Sequence, residues 1–295
     1  MQSIISRRQF LTTTAAALAC AGLRAAPAAP KYHFCAFEKP LQFLSYDDMA
    51  QLVADAGYNG IEATARSGGH ILPERIDEDL PRMIEALQKR NLDLTILTSD
   101  ITSVEQPLTE KVLRTAAKHG VKRYRMMWYK YDTKQPILPQ LDAIAKQLPP
   151  LVELTRSLGM TALYQNHNGA NMVGAPIWDI YQLIKNFDPK TIGLAFDIMH
   201  ATIEGGHSWP IQFKLVQSHI AAVYIKDFKW ADGRVAGMPL GQGQVDPKYF
   251  TLLKQSGYTG PVSVHVEYLD GKKDRAAFAN AFKTDLVTLK KSLQS

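Results

Sequence analysis

The sequence predicts a single-domain α/β fold, a (β/α)8 TIM barrel, from three observations. Eight short apolar runs recur along the chain, amphipathic segments of helical length separate them, and no polar linker divides the whole. Runs that are apolar on both faces suit parallel strands covered by helices, not the half-wet strands of an antiparallel sheet. A doubly wound sheet is the alternative, but no Gly-rich phosphate turn follows the first run.

The elements follow in order. After the first run, 32–37 (YHFCAF), Ser45 supplies an N-cap with Asp48 three residues on, opening a helix to about Ala56. Gly57-Tyr58-Asn59-Gly60 turns the chain into the second run, 60–64. A helix at 80–90, a run at 92–99, a helix at 109–119 and a run at 122–128 come next. A helix at 140–158 precedes the fifth run, 161–166. Pro176 starts another helix, which stops near Asp188-Pro189, ahead of the sixth run, 191–197. The seventh run, 221–227, leads to Asp246-Pro247, an N-cap with proline at the first helical position. Gly257-Tyr258-Thr259-Gly260 repeats the helix-to-strand turn before the eighth run, 262–268, and a helix at 274–293 ends the chain.

The N-terminus reads differently. Arg7-Arg8-Gln9-Phe10-Leu11, a mild apolar stretch and Ala-Pro repeats form the layout of a secretory signal over residues 1–29. The paired arginines point to the twin-arginine route and a periplasmic destination, with the barrel over 30–295. Cys20 sits in a poor lipoprotein box, because Ala17 stands where leucine is expected, so a lipid anchor is disfavoured. Removing residues 1–29 takes away Arg7, Arg8 and Arg24 and no acid, leaving a formal charge of +3 in place of +6. That charge argues for no nucleic-acid partner and no anionic membrane. Past residue 30 no segment reaches the roughly 18 uncharged apolar residues of a spanning helix. Cys35 is then the one remaining cysteine, so no intramolecular disulfide forms. The sequence leaves the oligomeric state open, a homo-oligomer included.

In a barrel the chemistry belongs at the C-terminal ends of the strands. Those ends carry Lys39, Glu62 with Arg66, Trp128, Gln165 with His167, Asp197 with His200, Lys226 with Asp227, and His265 with Glu267. Asp197 and His200, three apart, present a carboxylate and an imidazole to one pocket, or the Asp caps the following helix. His265 and Glu267, two apart on a strand, face one side and need a cation or a hydrogen-bond network if buried. His70 lies on the loop after the second strand, where it reaches substrate or closes the loop. The Pro239–Asp246 loop offers backbone at Gly241 and Gly243 to a ligand, or is a plain turn. His33, His119 and His219 read as structural.

The stretches FDIMH, YIKDF, PLGQGQVD and GYTGPVSVHVEY resemble those of xylose-isomerase-like TIM barrels, the sugar phosphate isomerases/epimerases, over residues 31–293. The resemblance implies one divalent metal, Mn²⁺, Mg²⁺ or Zn²⁺, held at strands five to eight, and proton transfer next to a ketose carbonyl. It departs from the family at three places: Gln165 for a glutamate, Tyr224 for a histidine, and His265 for a glutamate with Glu267 two residues later. The implied metal set is Gln165 or His167 with Asp197, His265 and Glu267. The altered set is most similar to an exported branch acting on keto-glycosides by elimination or hydration. Glu62, Lys226 and Glu267 are then the catalytic candidates, and Lys39, Arg66, His70, Trp128, His167 and His200 the substrate contacts. Export favours a neutral small-molecule sugar or glycoside. The alternatives are a periplasmic sugar-binding barrel without catalysis and an abasic-site endonuclease, whose three-metal cluster these strand ends do not supply.

Overall fold

A computed structural model describes residues 32–269 and 271–294. The export signal expected at 1–29, with Cys20, lies outside the described residues. Eight parallel strands close the barrel: β1 (His33–Phe37), β2 (Gly60–Ala65), β3 (Asp93–Ser99), β4 (Arg123–Arg125), β5 (Thr161–Gln165), β6 (Ile192–Asp197), β7 (Ile220–Ile225) and, after the hairpin described below, β10 (Pro261–Val264). Each lies beside its neighbour in sequence, and β1 pairs with β10 to close the ring.

The helices around the ring are α1 (Tyr46–Ala56), α2 (Ile76–Gln88), α3 (Thr109–Lys118), α4 (Ile137–Ser157), α5 (Trp178–Ile184), α6 (Ile198–Gly205), α7 (Trp209–Val216), α8 (Lys248–Gln255) and α9 (Arg275–Gln294). Ser45 caps α1 as expected, its hydroxyl accepting from the Asp48 N–H at 3.1 Å, and Gly57 ends it at φ +89°, a conformation that costs glycine little. α2 starts four residues before the predicted 80, because Asp77, Glu78 and Asp79 in its first turn suit the positive end of the helix dipole. Two short helices, α6 and α7, follow β6. Among the described residues no helix is long and apolar enough to cross a membrane.

One element was not expected from the sequence. β8 (Asp227–Ala231) and β9 (Arg234–Met238) form an antiparallel hairpin directly after β7. Asp232 and Gly233 both have positive φ, +51° and +71°, which is what a tight two-residue hairpin turn requires.

The core has two layers, as alternation along the strands demands. Cys35, Ile96, Leu163, Ala195, Ala222 and Tyr224 fill the barrel interior. Their neighbours Ala36, Leu97, Tyr124, Ala162, Phe196 and Val223 point outward into the layer under the helices.

Candidate functional site

The same alternation delivers side chains to the mouth. Two positions beyond Leu163 is Gln165, beyond Ala195 is Asp197, and beyond Tyr224 is Lys226, while Ser263 leads to His265 and Glu267. β5, β6, β7 and β10 are adjacent in the ring, so these residues meet. A cavity of about 110 Å³ is lined by Lys39, Arg66, Trp128, Gln165, His167, Lys226, His265 and Glu267, together with Phe37 and Arg125. Two larger cavities, about 880 and 680 Å³, share no residue with it, and the second lies against the strand starts at Arg123, Thr161 and Ile220. Size does not locate the chemistry here; the convergence of buried charge does.

Lys226 is the hub. It is 7% exposed, and its Nζ lies 2.9 Å from Glu267 Oε2 and 3.3 Å from Asp197 Oδ2. Burial alone would lower its pKa, but the two carboxylates outweigh burial and hold the ammonium above the ordinary lysine range. It therefore stays charged and cannot serve as the base, which corrects that expectation. Lys39 Nζ lies 3.2 Å from the other oxygen of Glu267. Burial works against the Glu267 anion, yet Lys226, His265 and Lys39 keep it well below the usual carboxylate range. Gln165 donates its amide to Asp197 Oδ2 at 2.8 Å and accepts from the Arg125 guanidinium at 2.8 Å. Asn166 pairs with the Asp197 backbone in both directions, at 2.8 and 2.9 Å. Gln165, the last residue of β5, and Asn166 after it thus both hold Asp197.

Glu62 does not reach the cavity. It lies fully buried beneath it, accepting from Thr98 and Ser263 hydroxyls, each at 2.6 Å, and facing His265 Nε2 at 3.1 Å. Burial pushes it up, but His265, Arg125 and Ser263 together bring it down to about 2. An inaccessible carboxylate so strongly ionised is a poor proton acceptor, so Glu62 positions His265 instead of acting as the base. The His265 ring is stacked on Phe37 at 4.3 Å and lies 4.5 Å from Tyr224. In its neutral form, with the Nε2 proton donated to the carboxylate, the ring carries its lone pair on Nδ1.

On the other side, His167 and His200 lie ring on ring, their centroids 3.8 Å apart. Burial, reinforced by Lys226, lowers His167 to about 4 and His200 well below the ordinary 6.5, so both are neutral imidazoles. Neither ring nitrogen of His200 has a hydrogen-bond partner among the described residues; Asp197 Oδ2 is 3.5 Å from Nε2 without hydrogen-bond geometry. Trp128 packs against His167 with ring centroids 4.4 Å apart and the planes tilted by 53°, lies under Arg125 at 4.8 Å, and also carries an unpartnered buried Nε1. Trp128 lines the cavity, so its Nε1 is a donor that a hydroxylated ligand would satisfy, whereas His200 is packed on His167 and is not part of the lining.

His70 is drawn away from the cavity. Its Nδ1 lies 3.1 Å from Glu38 Oε2, and Glu38 also accepts from the Thr64 N–H at 2.7 Å, so this pair closes the loop after β2. The Pro239–Asp246 loop is likewise committed. Gly241 and Gly243 N–H groups both donate to Asp227 Oδ2 at 3.0 Å, leaving no backbone for a ligand there. Arg125 was not singled out from sequence. Its signal was present: an arginine two residues from another on an otherwise buried strand, at inward parity.

The side chains do not fit the divalent metal that the resemblance implies. Among the described residues no group of three or more His, Cys, Asp or Glu is placed to hold an ion. The implied ligands face partners of their own: Gln165 turns its carbonyl to Arg125, His167 turns Nδ1 to the Asn168 carbonyl, His265 turns Nε2 to Glu62, and Asp197 and Glu267 share Lys226.

Similar solved structures share the fold. A probable 3-DHS dehydratase from Bacillus anthracis matches with TM-score 0.69 and 15% identity over 88% of this chain and 98% of that one. A 3-keto-D-glucoside 4-epimerase from E. coli matches with TM-score 0.66 and 16% identity, over 88% of this chain and all of that one. A D-allulose 3-epimerase from Methylomonas sp. matches with TM-score 0.66 and 16% identity, over 90% and 99%. No curated protein matches the chain by sequence. The family described as xylose isomerase-like TIM barrel matches residues 50–284, most of the sequence, and the chain belongs to that family.

Proposed function

We propose that the chain is an enzyme that removes the proton next to the carbonyl of a neutral keto-sugar or 3-keto-glycoside. Reprotonation of the resulting enolate gives isomerisation or epimerisation, and loss or addition of a neighbouring oxygen gives elimination or hydration. The observation that carries this reading is a pair of imidazoles set on either side of a buried ammonium. His265, oriented by Glu62, follows β10; Lys226 follows β7; His200, neutral and unpartnered, follows β6, the next strand round the ring.

In the proposed step His265 Nδ1 takes the proton, and His167 and Trp128 in the cavity wall, with His200 packed on His167, bind substrate oxygens. Arg66 and Lys39 at the rim orient hydroxyls. The structural neighbours support the reaction class, because a 3-keto-glucoside 4-epimerase and an allulose 3-epimerase both work at a carbon next to a ketone, and dehydration of a ketone begins with the same proton. The Arg7-Arg8 motif supports a periplasmic setting, where unphosphorylated sugars are the available substrates.

Solvent-deuterium exchange into a panel of keto-sugars and 3-keto-glycosides tests the proposal. Wild type should exchange at least one of them, and His265→Asn should slow exchange by about 10²–10⁴. Wild type that binds such sugars without exchanging any of them would make the chain a binding protein instead.

A further inference from the structure

We infer that Lys226 is the resident cation of this site, standing in place of the divalent metal, and that the chain works without one. The inference rests on the proposed deprotonation but is carried by its own geometry. Lys226 Nζ contacts both Asp197 Oδ2 and Glu267 Oε2, at 3.3 and 2.9 Å, from a position 7% exposed. Lys39 takes the remaining Glu267 oxygen at 3.2 Å. The carboxylates expected to bind a metal are therefore already neutralised by side-chain ammonium groups.

The departures at the other positions follow the same logic. A glutamate at 165 would put a further anion beside Asp197; Gln165 instead donates an N–H to Asp197 and accepts from Arg125. Position 224 carries a tyrosine in the barrel interior, which supplies no imidazole. His265 is turned to Glu62. Three substitutions and one buried ammonium converge on a site whose positive charge comes from the chain.

The chemistry balances without any further reactant. The C–H bond breaks, its proton goes to His265 Nδ1, and its electron pair moves onto the carbonyl oxygen. The Lys226 ammonium donates a hydrogen bond to that oxygen as charge develops on it. Reprotonation from the His265 imidazolium returns the proton.

The experiment uses the full chain purified from cells grown with added Mn²⁺ and Zn²⁺. Elemental analysis should find far less than one metal per chain, Mn²⁺, Mg²⁺ or Zn²⁺ should leave Tm unchanged, and chelator should leave deuterium exchange unchanged. Lys226→Met should lose about 10²–10³ in exchange rate, and added Mn²⁺ should raise the variant's Tm, because Asp197 and Glu267 then lack a cation. One metal per chain in wild type, with chelator lowering Tm or exchange, overturns the inference, as does Lys226→Met that exchanges at the wild-type rate. If no keto-sugar exchanges under any condition, the proposed reaction fails, while metal content and Tm still decide the question of the cation. The wild-type measurements also stand if Lys226→Met does not fold.

Discussion

His265 and Glu62 are 203 positions apart in the sequence and meet at 3.1 Å inside the barrel. The contact exists because β1, flanked by β2 and β10, brings the second and last strands to one end of the ring. It turns an isolated histidine into an oriented one: the carboxylate holds Nε2, and Phe37 and Tyr224 hold the ring face.

Breaking that contact should show Glu62 as a positioning residue. Glu62→Gln keeps an acceptor of the same shape but removes the charge. Its kcat for exchange should fall by about 10²–10⁴ while KM changes little. Glu62→Asp, which retains a carboxylate, should recover part of the loss. Equal losses in both variants, or a rise in KM alone, would argue for a packing role.

His200 offers a test in which stability and activity move in opposite directions. Its two buried ring nitrogens lack partners among the described residues, so replacing the ring by an apolar side chain removes a desolvation penalty. His200→Leu should raise stability by about 1 kcal/mol in urea unfolding while exchange falls at least about tenfold. A destabilised variant would mean that ligand-free His200 is satisfied by water, and an active one would remove it from the site.

The pH dependence of stability should carry a contribution from Asp285. Its carboxyl is buried, Oδ1 accepting from the Leu240 N–H at 3.2 Å, and burial raises it from 3.8 to about 6. As pH rises from about 4, the unfolded chain loses this proton first and the native state retains it. Asp285 therefore lowers stability progressively between about pH 4 and pH 6, by up to about 3 kcal/mol, with no further change above. Asp285→Asn keeps the acceptor and cannot ionise, so urea midpoints measured across this window should fall less steeply than in wild type. Parallel curves would show that Asp285 ionises in the fold as readily as in water.

Export is read from Arg7 and Arg8. Changing both to lysine should leave uncleaved precursor in the cytoplasm of a cell with a twin-arginine system, as judged by fractionation. Normal periplasmic yield of the double variant would point to another route.

The fold was legible in the sequence because its causes are local. Alternating apolar runs, the Ser45 cap and the Gly57 turn each act within a few residues, and the parity of a strand then sends Gln165, Asp197, Lys226, His265 and Glu267 toward one mouth. The hairpin at 227–238 was not read from the sequence, although Asp232-Gly233 is a two-residue turn signal that a search for barrel strands alone passes over. What each site residue does was decided by the tertiary structure. Glu62 reads as a strand-end residue, yet β2 runs on to Ala65, so Glu62 lies within the strand, under His265 and outside the cavity. Lys226 reads as a catalytic base until Asp197 and Glu267, from the strands on either side, are seen to enclose its ammonium. Period-two alternation specifies which face a side chain takes. The partner it meets there, and hence its charge, depends on residues brought in by other strands across the closed barrel.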